Sequence, residues 1–225
     1  MIIIKQAKQS GSLQKRANNP NYTNYLKGTF NNGKLEGEGK EVTENYKYKG
    51  EFKGGVKHGK GISVSYITCS ETGEIVTGDM YKGEFEHGKK SGFGTLKYSN
   101  GNIYEGLFFN NLKHGKGKLS YSKFGSYEGD FNNDNFQDKG CLISPNGDKY
   151  EGDFYKGLKD GYGSLSYSNG DVYFGNFRSD MKDGYGKMYY KKDKSGNSMK
   201  VFEGHWINGE IQEGKLTEGN QGESF

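Results

Sequence analysis

The sequence has little of what an aliphatic core or a disulfide-stabilised fold requires. Only 31% of its 225 residues are hydrophobic, and it contains 2 cysteines and 2 prolines. Cys69 and Cys141 are too few for a disulfide framework or a zinc cluster, so a reducing compartment is the default expectation. Such a composition predicts no large core of aliphatic side chains.

Long apolar segments and a strong charge of one sign are also missing. The apolar start, "MIII", is interrupted by Lys5 and is too short for a signal peptide, and no segment approaches the length of a membrane span. We therefore expect a cytoplasmic protein. The 32 basic and 28 acidic residues leave a net charge of +4, so nothing in the total requires nucleic acid, and none is expected as a partner.

Glycine and aromatic residues are abundant instead. The chain has 38 Gly, 18 Tyr and 14 Phe. This mixture favours short strands and tight turns over helices. We expect almost no helix.

An aromatic residue, a glycine and a second aromatic residue recur at alternate positions. The regular copies are Tyr48-Gly50-Phe52, Tyr81-Gly83-Phe85, Tyr104-Gly106-Phe108, Tyr127-Gly129-Phe131, Tyr150-Gly152-Phe154 and Tyr173-Gly175-Phe177. From Tyr81 to Tyr173, successive copies are 23 residues apart. Degenerate copies, Leu26-Gly28-Phe30 and Phe202-Gly204-Trp206, bring the number of units to eight.

Each unit reads as a β-hairpin. Both of its halves alternate with a period of two, as strands do. Three residues after the second aromatic stand residue types that tolerate positive φ, which predicts the turn: Gly33, Gly55, Gly88, Asn111, Asp134, Gly157, Asp180 and Gly209. Turns between units are predicted at Asn100-Gly101, Asn146-Gly147 and Asn169-Gly170.

This pattern resembles the MORN repeat, which reads Tyr-x-Gly-x-Phe/Trp, a turn, then Gly-x-Gly and an apolar or aromatic tail. The resemblance covers about residues 25 to 216, and departs from the pattern at Leu26 and at Asp138, which replaces the first glycine of the second half. It implies an all-β fold, an elongated, twisted, single-layer antiparallel meander of about eight MORN hairpins. Residues 1–24 then form an N-terminal extension and residues 217–225 a polar tail, with insertions near 63–80 and 191–200.

One stretch, "GGVKHGKG" from Gly54 to Gly61, nearly spells a phosphate-binding loop. Such a loop needs Ser or Thr directly after the lysine, and the next residue here is Gly61. The repeat explains the stretch better, because Gly59 and Gly61 are the paired glycines of a second strand.

We predict a partner site on the aromatic face, because a single-layer sheet leaves its rings only partly covered and an exposed apolar strip marks interaction sites. The candidate occupants are the N-terminal segment, a second copy, or a helix or strand of another protein. Alternatively, the rings cover one another and bind nothing. The predicted site residues are Tyr81, Phe85, Tyr104, Phe108, Tyr127, Phe131, Tyr150, Phe154, Tyr173 and Phe177.

A second predicted site is a row of lysines along one edge, suited to anionic headgroups or an acidic protein tail. The alternative is a solvated edge that discourages aggregation. The row stands five residues after the second aromatic, with two further lysines near it: Lys57, Lys90, Lys113, Lys159 and Lys182, together with Lys89 and Lys116.

Catalytic chemistry is not indicated. His58 and His114 share one repeat position that behaves as a polar turn site. No Ser/His/Asp set, catalytic carboxylate pair or activated cysteine follows from the spacing. We expect no enzyme, no catalytic residue, no cofactor and no metal.

The family resemblance implies a non-enzymatic scaffold in a cytoskeletal assembly such as an axoneme, radial spoke, basal body or cortical structure. The alternatives are a peripheral membrane adaptor that binds anionic phospholipids and an accessory subunit of a separate enzyme. The expected partners are other proteins of a larger assembly, a second copy as a homodimer, and an anionic lipid surface. The expected location is cytoplasmic and cytoskeleton-associated, in a cilium or axoneme, or else membrane-peripheral.

Overall fold

A computed structural model describes residues 24–68, 74–123, 125–191 and 200–218. Sixteen β-strands and no helix are found in these ranges. The chain divides into two compact units, residues 1–114 and 115–225. The prediction of an all-β protein is confirmed.

In the first unit each strand pairs antiparallel with the next one along the chain. The β-branched and aromatic residues of these segments favour the extended backbone. The strands are β1 (Tyr25–Asn31), β2 (Lys34–Val42), β3 (Tyr46–Lys53), β4 (Val56–Thr68), β5 (Ile75–Glu86), β6 (Lys89–Lys97), β7 (Ile103–Phe109) and the start of β8 (Leu112–Ser120).

The second unit repeats this arrangement from the rest of β8 onward. The predicted meander of hairpins, one for each repeat, is confirmed. Its further strands are β9 (Ser126–Asn132), β10 (Asn135–Ile143), β11 (Lys149–Tyr155), β12 (Leu158–Ser166), β13 (Val172–Arg178), β14 (Met181–Tyr190), β15 (Lys200–Ile207) and β16 (Glu210–Glu218).

The turn inside each hairpin has two residues with positive φ. Asn110 and Asn111, for example, have φ of 51° and 76°, and Lys156 and Gly157 have 51° and 89°. Two successive positive φ angles define the type I′ turn, whose twist matches the flanking strands. All eight turn positions predicted from the sequence carry this conformation.

The Asn-Gly turns between repeats are built differently. At Asn146-Gly147 only the glycine has a positive φ, of 88°. The Asn146 side-chain oxygen accepts a hydrogen bond from the Asp148 amide at 3.1 Å, and the Gly147 amide donates to the Ser144 carbonyl at 2.9 Å. The turns therefore lie where the sequence predicted them, stabilised by the asparagine side chain rather than by a type I′ geometry.

The core lies on one face of the strands, which we call the ring face. Its repeating members are the tyrosines of the motif, 0–1% exposed, and the phenylalanines, 2–5% exposed. They are Tyr48, Tyr81, Tyr104, Tyr127, Tyr150 and Tyr173, and Phe52, Phe85, Phe108, Phe131, Phe154 and Phe177. No buried side chain in the described part of the chain is polar or charged.

The glycines of the motif have two separate tasks. Gly152 and Gly163 pair across β11 and β12 beneath the Tyr150 ring, and a Cβ on Gly163 would stand 2.5 Å from Tyr150 Cε2. The earlier glycine of the Gly-x-Gly pair, Gly161, instead adopts a φ of +107° where the strand bulges. Asp138 takes that bulge position in the fifth unit with a φ of 51°, so its replacement of glycine leaves the space under the ring intact.

The first insertion lengthens β4 and β5. Their pairing continues through Tyr66 with Thr77 and Ile67 with Val76 to Thr68 with Ile75. Of the second insertion, residues 192–199 lie outside the described residues, as do most of the N-terminal extension and the C-terminal tail.

Candidate interaction surfaces

The rings predicted as a partner site are fixed in a repeated network. Within a repeat, tyrosine and phenylalanine pack edge to face, as Tyr150 and Phe154 do with centroids 5.1 Å apart, and Tyr150 also meets Phe177 of the following repeat at 5.0 Å. The Tyr150 hydroxyl donates a hydrogen bond to the Asp153 carbonyl at 2.9 Å, and the other five tyrosines make the equivalent bond. Edge-to-face packing is the favoured geometry for such rings.

Burial dominates the electrostatics of these hydroxyls. It raises the pKa of Tyr173 to about 12 and also raises the pKa values of Tyr48, Tyr81, Tyr127 and Tyr150 above their ordinary value. The phenols therefore stay neutral hydrogen-bond donors at physiological pH.

The ring face is not the partly open apolar strip that the sequence predicted. All ten predicted rings are buried, with at most 5% of their surface exposed. The reason is clearest at Tyr150, which lies across a glycine pair, between Phe154 and Phe177 of two repeats, and under a further side chain. These residues form the core, and direct contact with a partner would require them to open.

The side chain that covers the ring is the predicted edge lysine. The ammonium nitrogens of Lys57, Lys90, Lys113, Lys159 and Lys182 lie 5.4, 5.3, 5.9, 5.8 and 4.8 Å from the centroids of the tyrosines of their own repeats. We call these residues lid residues. The prediction of an edge row did not include this contact, in which the apolar lysine stems pack over the aromatic surface.

The other three repeats place an apolar residue at the lid position, namely Leu35, Phe136 and Ile211, and the sequence pattern gave no indication of their role. Leu35 is 1% exposed, and Phe136 stacks on Tyr127 with centroids 3.7 Å apart and an interplanar angle of 8°. Phe136 thus covers a tyrosine ring as the lysine stems do, whereas Leu35 lies in the repeat that has Leu26 in place of the tyrosine, and Ile211 is 50% exposed.

Burial lowers the pKa of Lys57, although the Glu41 carboxylate, 3.7 Å away, acts in the opposite direction. Burial likewise lowers the pKa of Lys182, against the attraction of Asp171. An ammonium that is already partly desolvated against a ring has less of its surface available to an anionic headgroup.

The remaining two predicted lysines are not lids. Lys89 is exposed and its ammonium lies 3.3 Å from the side-chain oxygen of Asn110. Lys116 forms an ion pair with Asp130 at 2.6 Å. The seven lysines therefore do not form one site of uniform chemistry.

The opposite face of the strands, which we call the open face, carries large exposed apolar side chains. In the first unit Phe93 is 56% exposed and lies directly across from Leu107, which is 42% exposed. In the second unit Tyr162 and Tyr185 are 58% and 45% exposed. The sequence contained the signal: the middle residue of Gly-x-Gly is aromatic in these three repeats and charged at Glu38, Lys60, Lys116 and Lys139.

A groove of ≈ 550 Å³ lies on the open face of the first unit. Its lining includes the paired glycines Gly50 and Gly61 and Gly83 and Gly94. Lys49, Lys82, Glu38, Glu84, Ile62 and Phe93 are among the side chains around it.

The lengthened hairpin of β4 and β5 exposes further β-branched residues. Ile67, Ile75 and Val76 are 43–49% exposed, and the Lys47 ammonium lies 5.0 Å from the centroid of the Tyr66 ring. This hairpin is a second candidate surface for protein contact.

In the ranges that the structure covers, no group of three or more His, Cys, Asp or Glu side chains is placed to hold a metal ion. Nor do those ranges contain a helix of the length and apolarity that crossing a membrane requires.

A search of curated proteins returned no match. A model of the MORN repeat, which is a non-catalytic interaction module for proteins or membranes, matches residues 27–46, 48–66, 81–103, 104–125, 127–149, 150–172 and 173–193. The closing hairpin of β15 and β16 lies outside these matches, yet it buries Phe202 and Trp206 as the other repeats bury their rings. Because the matched segments cover more than half of the sequence and coincide with the hairpins, the chain belongs to the MORN-repeat family.

Proposed function

We propose that the protein is a non-enzymatic scaffold that binds other proteins of a cytoskeletal assembly through the open faces of its repeats. The observation that carries the proposal is the distribution of exposed apolar side chains. The rings of the ring face are buried, whereas Phe93 and Leu107 in one unit and Tyr162 and Tyr185 in the other are exposed on the open face.

Three of these four residues are aromatic, the type that is enriched in protein interfaces. Aromatic side chains supply large contact areas at low conformational cost, and tyrosine adds a hydroxyl for a hydrogen bond. Phe93 and Leu107 are paired across β6 and β7, so they present one continuous apolar surface rather than scattered residues.

The cytoskeletal setting is part of the proposal and rests on the family. We propose an axoneme, radial spoke, basal body or cortical structure as the assembly, and the cytoplasm, including a cilium, as the location. The repeats fill most of the sequence, which suits a chain whose task is to present surfaces at fixed spacing.

Detergent extraction of cells that express the tagged protein tests this proposal. We expect the wild type to stay with a detergent-resistant filament or cilium, and the variant Phe93→Ser/Leu107→Ser/Tyr162→Ser/Tyr185→Ser to be released at an unchanged melting temperature. The matched control is Ile211→Ser/Leu216→Ser on β16, two side chains at least half exposed and paired with the ring-face residues Trp206 and Phe202, which should be retained. Complete release of the wild type from every insoluble structure would contradict the proposal.

The second candidate is a peripheral adaptor for anionic phospholipids. It is favoured by exposed lysines on the open face of the first unit, and less by the lid lysines, whose ammonium groups lie against rings. Substituting methionine for Lys57, Lys90 and Lys113 removes the charge but keeps an unbranched apolar side chain that can lie over the tyrosine ring. If the lid lysines bind lipid, these variants should lose binding to phosphatidylserine vesicles at an unchanged melting temperature.

An accessory role beside a separate enzyme is a third reading. Copurification of a catalytic chain with the tagged wild type would support it.

A further inference from the structure

We propose that the open face of the first unit is a self-complementary interface through which two copies of the chain associate about a two-fold axis. The inference rests on the proposed role as a scaffold and names one of its partners, a second copy. It is carried by two rows of like charge that cross the strands side by side.

The first row consists of lysines. Lys27 on β1 lies directly across from Lys40 on β2, and Lys40 from Lys49 on β3. Across β4 the row continues through Ile62 to Lys82 on β5. Like charges directly opposite on neighbouring strands are unfavourable, so this arrangement costs stability in a free monomer.

The second row consists mainly of glutamates and lies two residues away from the first row on each strand. Glu38 on β2 lies directly across from Glu51 on β3, and Glu84 follows on β5, across from Lys60 on β4. The Glu51 carboxylate accepts a hydrogen bond from the Lys60 amide at 2.8 Å, which fixes its position in the row. At about 3.4 Å per residue the two rows are about 7 Å apart.

The lysines of the two rows are not held in ion pairs within the unit. Among the residues that the structure describes, Lys27, Lys40, Lys49, Lys60 and Lys82 form no ion pair with a carboxylate.

The open face of the second unit shows the contrast. There lysines and carboxylates face each other across neighbouring strands and form ion pairs, Lys116 with Asp130, Lys118 with Glu128 and Lys187 with Glu203, at 2.6–3.2 Å. The same fold thus carries matched charges in one unit and unmatched rows in the other.

A two-fold axis parallel to the rows, lying between two such faces, brings the lysines of β2, β3 and β5 over glutamates; on β1, Thr29 stands where Lys27 would need one. Rotation about it places each strand over its own copy and the lysine row over the glutamate row of the second molecule. Lys40 then faces Glu38 of the other copy, Lys49 faces Glu51, and Lys82 faces Glu84. On β4, Ile62 faces the apolar stem of Lys60. Every contact occurs twice, as in any isologous interface.

The size of the face sets the expected affinity. Seven strands at about 4.8 Å and a paired length of about 20 Å give roughly 670 Å² for each copy. That is below the roughly 800 Å² per partner of a standard stable interface. We therefore expect a weak dimer whose dissociation constant is about micromolar or higher and depends on salt.

A second copy fits the two rows better than a lipid surface does. A lipid headgroup layer presents negative charge everywhere, so it would attract the lysine row and repel the glutamate row about 7 Å away. A second copy supplies both signs at the required spacing. A vesicle of phosphatidylserine and phosphatidylcholine is therefore the competing probe.

Sedimentation velocity of the full chain tests the interface. We expect the wild type to dimerise at low salt, and its dissociation constant to rise at least about tenfold when NaCl is raised from about 0.05 to 0.5 M. The variants Lys40→Glu/Lys49→Glu/Lys82→Glu and Glu38→Lys/Glu51→Lys/Glu84→Lys should each be monomeric. An equimolar mixture of the two should form a heterodimer, because one then carries two acidic rows and the other two basic rows.

The controls separate loss of binding from loss of folding. Lys118→Glu/Lys139→Glu/Lys187→Glu in the second unit should leave dimerisation unchanged. If the basic variant fails to fold, Glu38→Gln/Glu51→Gln/Glu84→Gln keeps the hydrogen-bond acceptors and should still weaken the dimer at least about tenfold.

A wild type that stays monomeric at low salt, or folded variants that dimerise as the wild type does, would overturn the interface. So would a monomeric wild type that binds the vesicles. None of these results decides the scaffold proposal, which depends on detergent extraction.

Discussion

Replacing Gly163 by alanine tests the packing of the ring face at its tightest point. The added Cβ would stand 2.5 Å from both Cε2 and the hydroxyl oxygen of Tyr150, about 1 Å inside ordinary van der Waals contact. The ring cannot move freely, because its hydroxyl donates to the Asp153 carbonyl and its edges meet Phe154 and Phe177.

The expected cost combines two terms. Overpacking a close-packed site costs about 1–3 kcal/mol, and weakening the tyrosine hydrogen bond adds about 1 kcal/mol. We expect a loss of about 2–4 kcal/mol in the free energy of unfolding. For a chain of this length that corresponds to a fall of roughly 4–16 °C in melting temperature.

Thermal and urea unfolding followed by circular dichroism provide the assay. Ser164→Ala is the matched control, since it changes the next residue and adds no volume; it should shift stability by less than about 0.5 kcal/mol. In a Tyr150→Leu background the extra cost of Gly163→Ala should largely disappear, because the obstructing ring is gone. A melting temperature within about 1 °C of the wild type, or an equal penalty in both backgrounds, would refute the packing argument.

Three further predictions follow from the same geometry. Phe136→Lys should lower the free energy of unfolding in urea by less than about 1 kcal/mol, since lysine covers the ring in five other repeats. Phe136→Ser, which leaves the ring uncovered, should lower it by about 2–4 kcal/mol. Asp138→Gly should match or slightly exceed wild-type stability, and Gly161→Ala should lose about 1 kcal/mol or more, because both positions have positive φ. Finally, the folded pKa of Tyr173 is raised to about 12, so the contribution of this group to stability is complete below about pH 10 and is lost as the pH rises from there to about 12. Tyrosinate absorbance should show that the buried tyrosines ionise only as the chain unfolds. Full titration near pH 10 in the folded state would contradict this.

Much of the fold could be predicted from spacing alone. The alternation of Tyr, Gly and Phe fixes which side chains share a face, and residues such as Asn111 and Asp180 marked turns that do have positive φ. These features are local, because they depend on a strand period of two and on the steric tolerance of single residues.

The covering of the rings could not be predicted in the same way. The position of Lys90 over Tyr81 depends on cross-strand pairing and on the backbone bulge beside Gly83 and Glu84, which breaks the simple alternation. A lysine in sequence reads as a solvent-exposed charge, and only the three-dimensional register shows that its stem covers a ring.

The open face was predictable in part. Phe93, Tyr162 and Tyr185 stand at a position that elsewhere carries charge, which is a visible departure from the repeat. The repeat pattern points to the tyrosines as the apolar surface, whereas the burial of those tyrosines is a property of the folded array.

The central claim is that the open face, rather than the ring face, meets the protein partners. Site-specific photo-crosslinking in intact cells tests it most directly, with the crosslinker placed at Phe93 or Tyr162 and, for comparison, at the lid positions Lys90 or Lys159. If the open face binds the partners, we expect protein adducts from positions 93 and 162 and few or none from positions 90 and 159. Adducts confined to the lid positions, or to lipid, would contradict it.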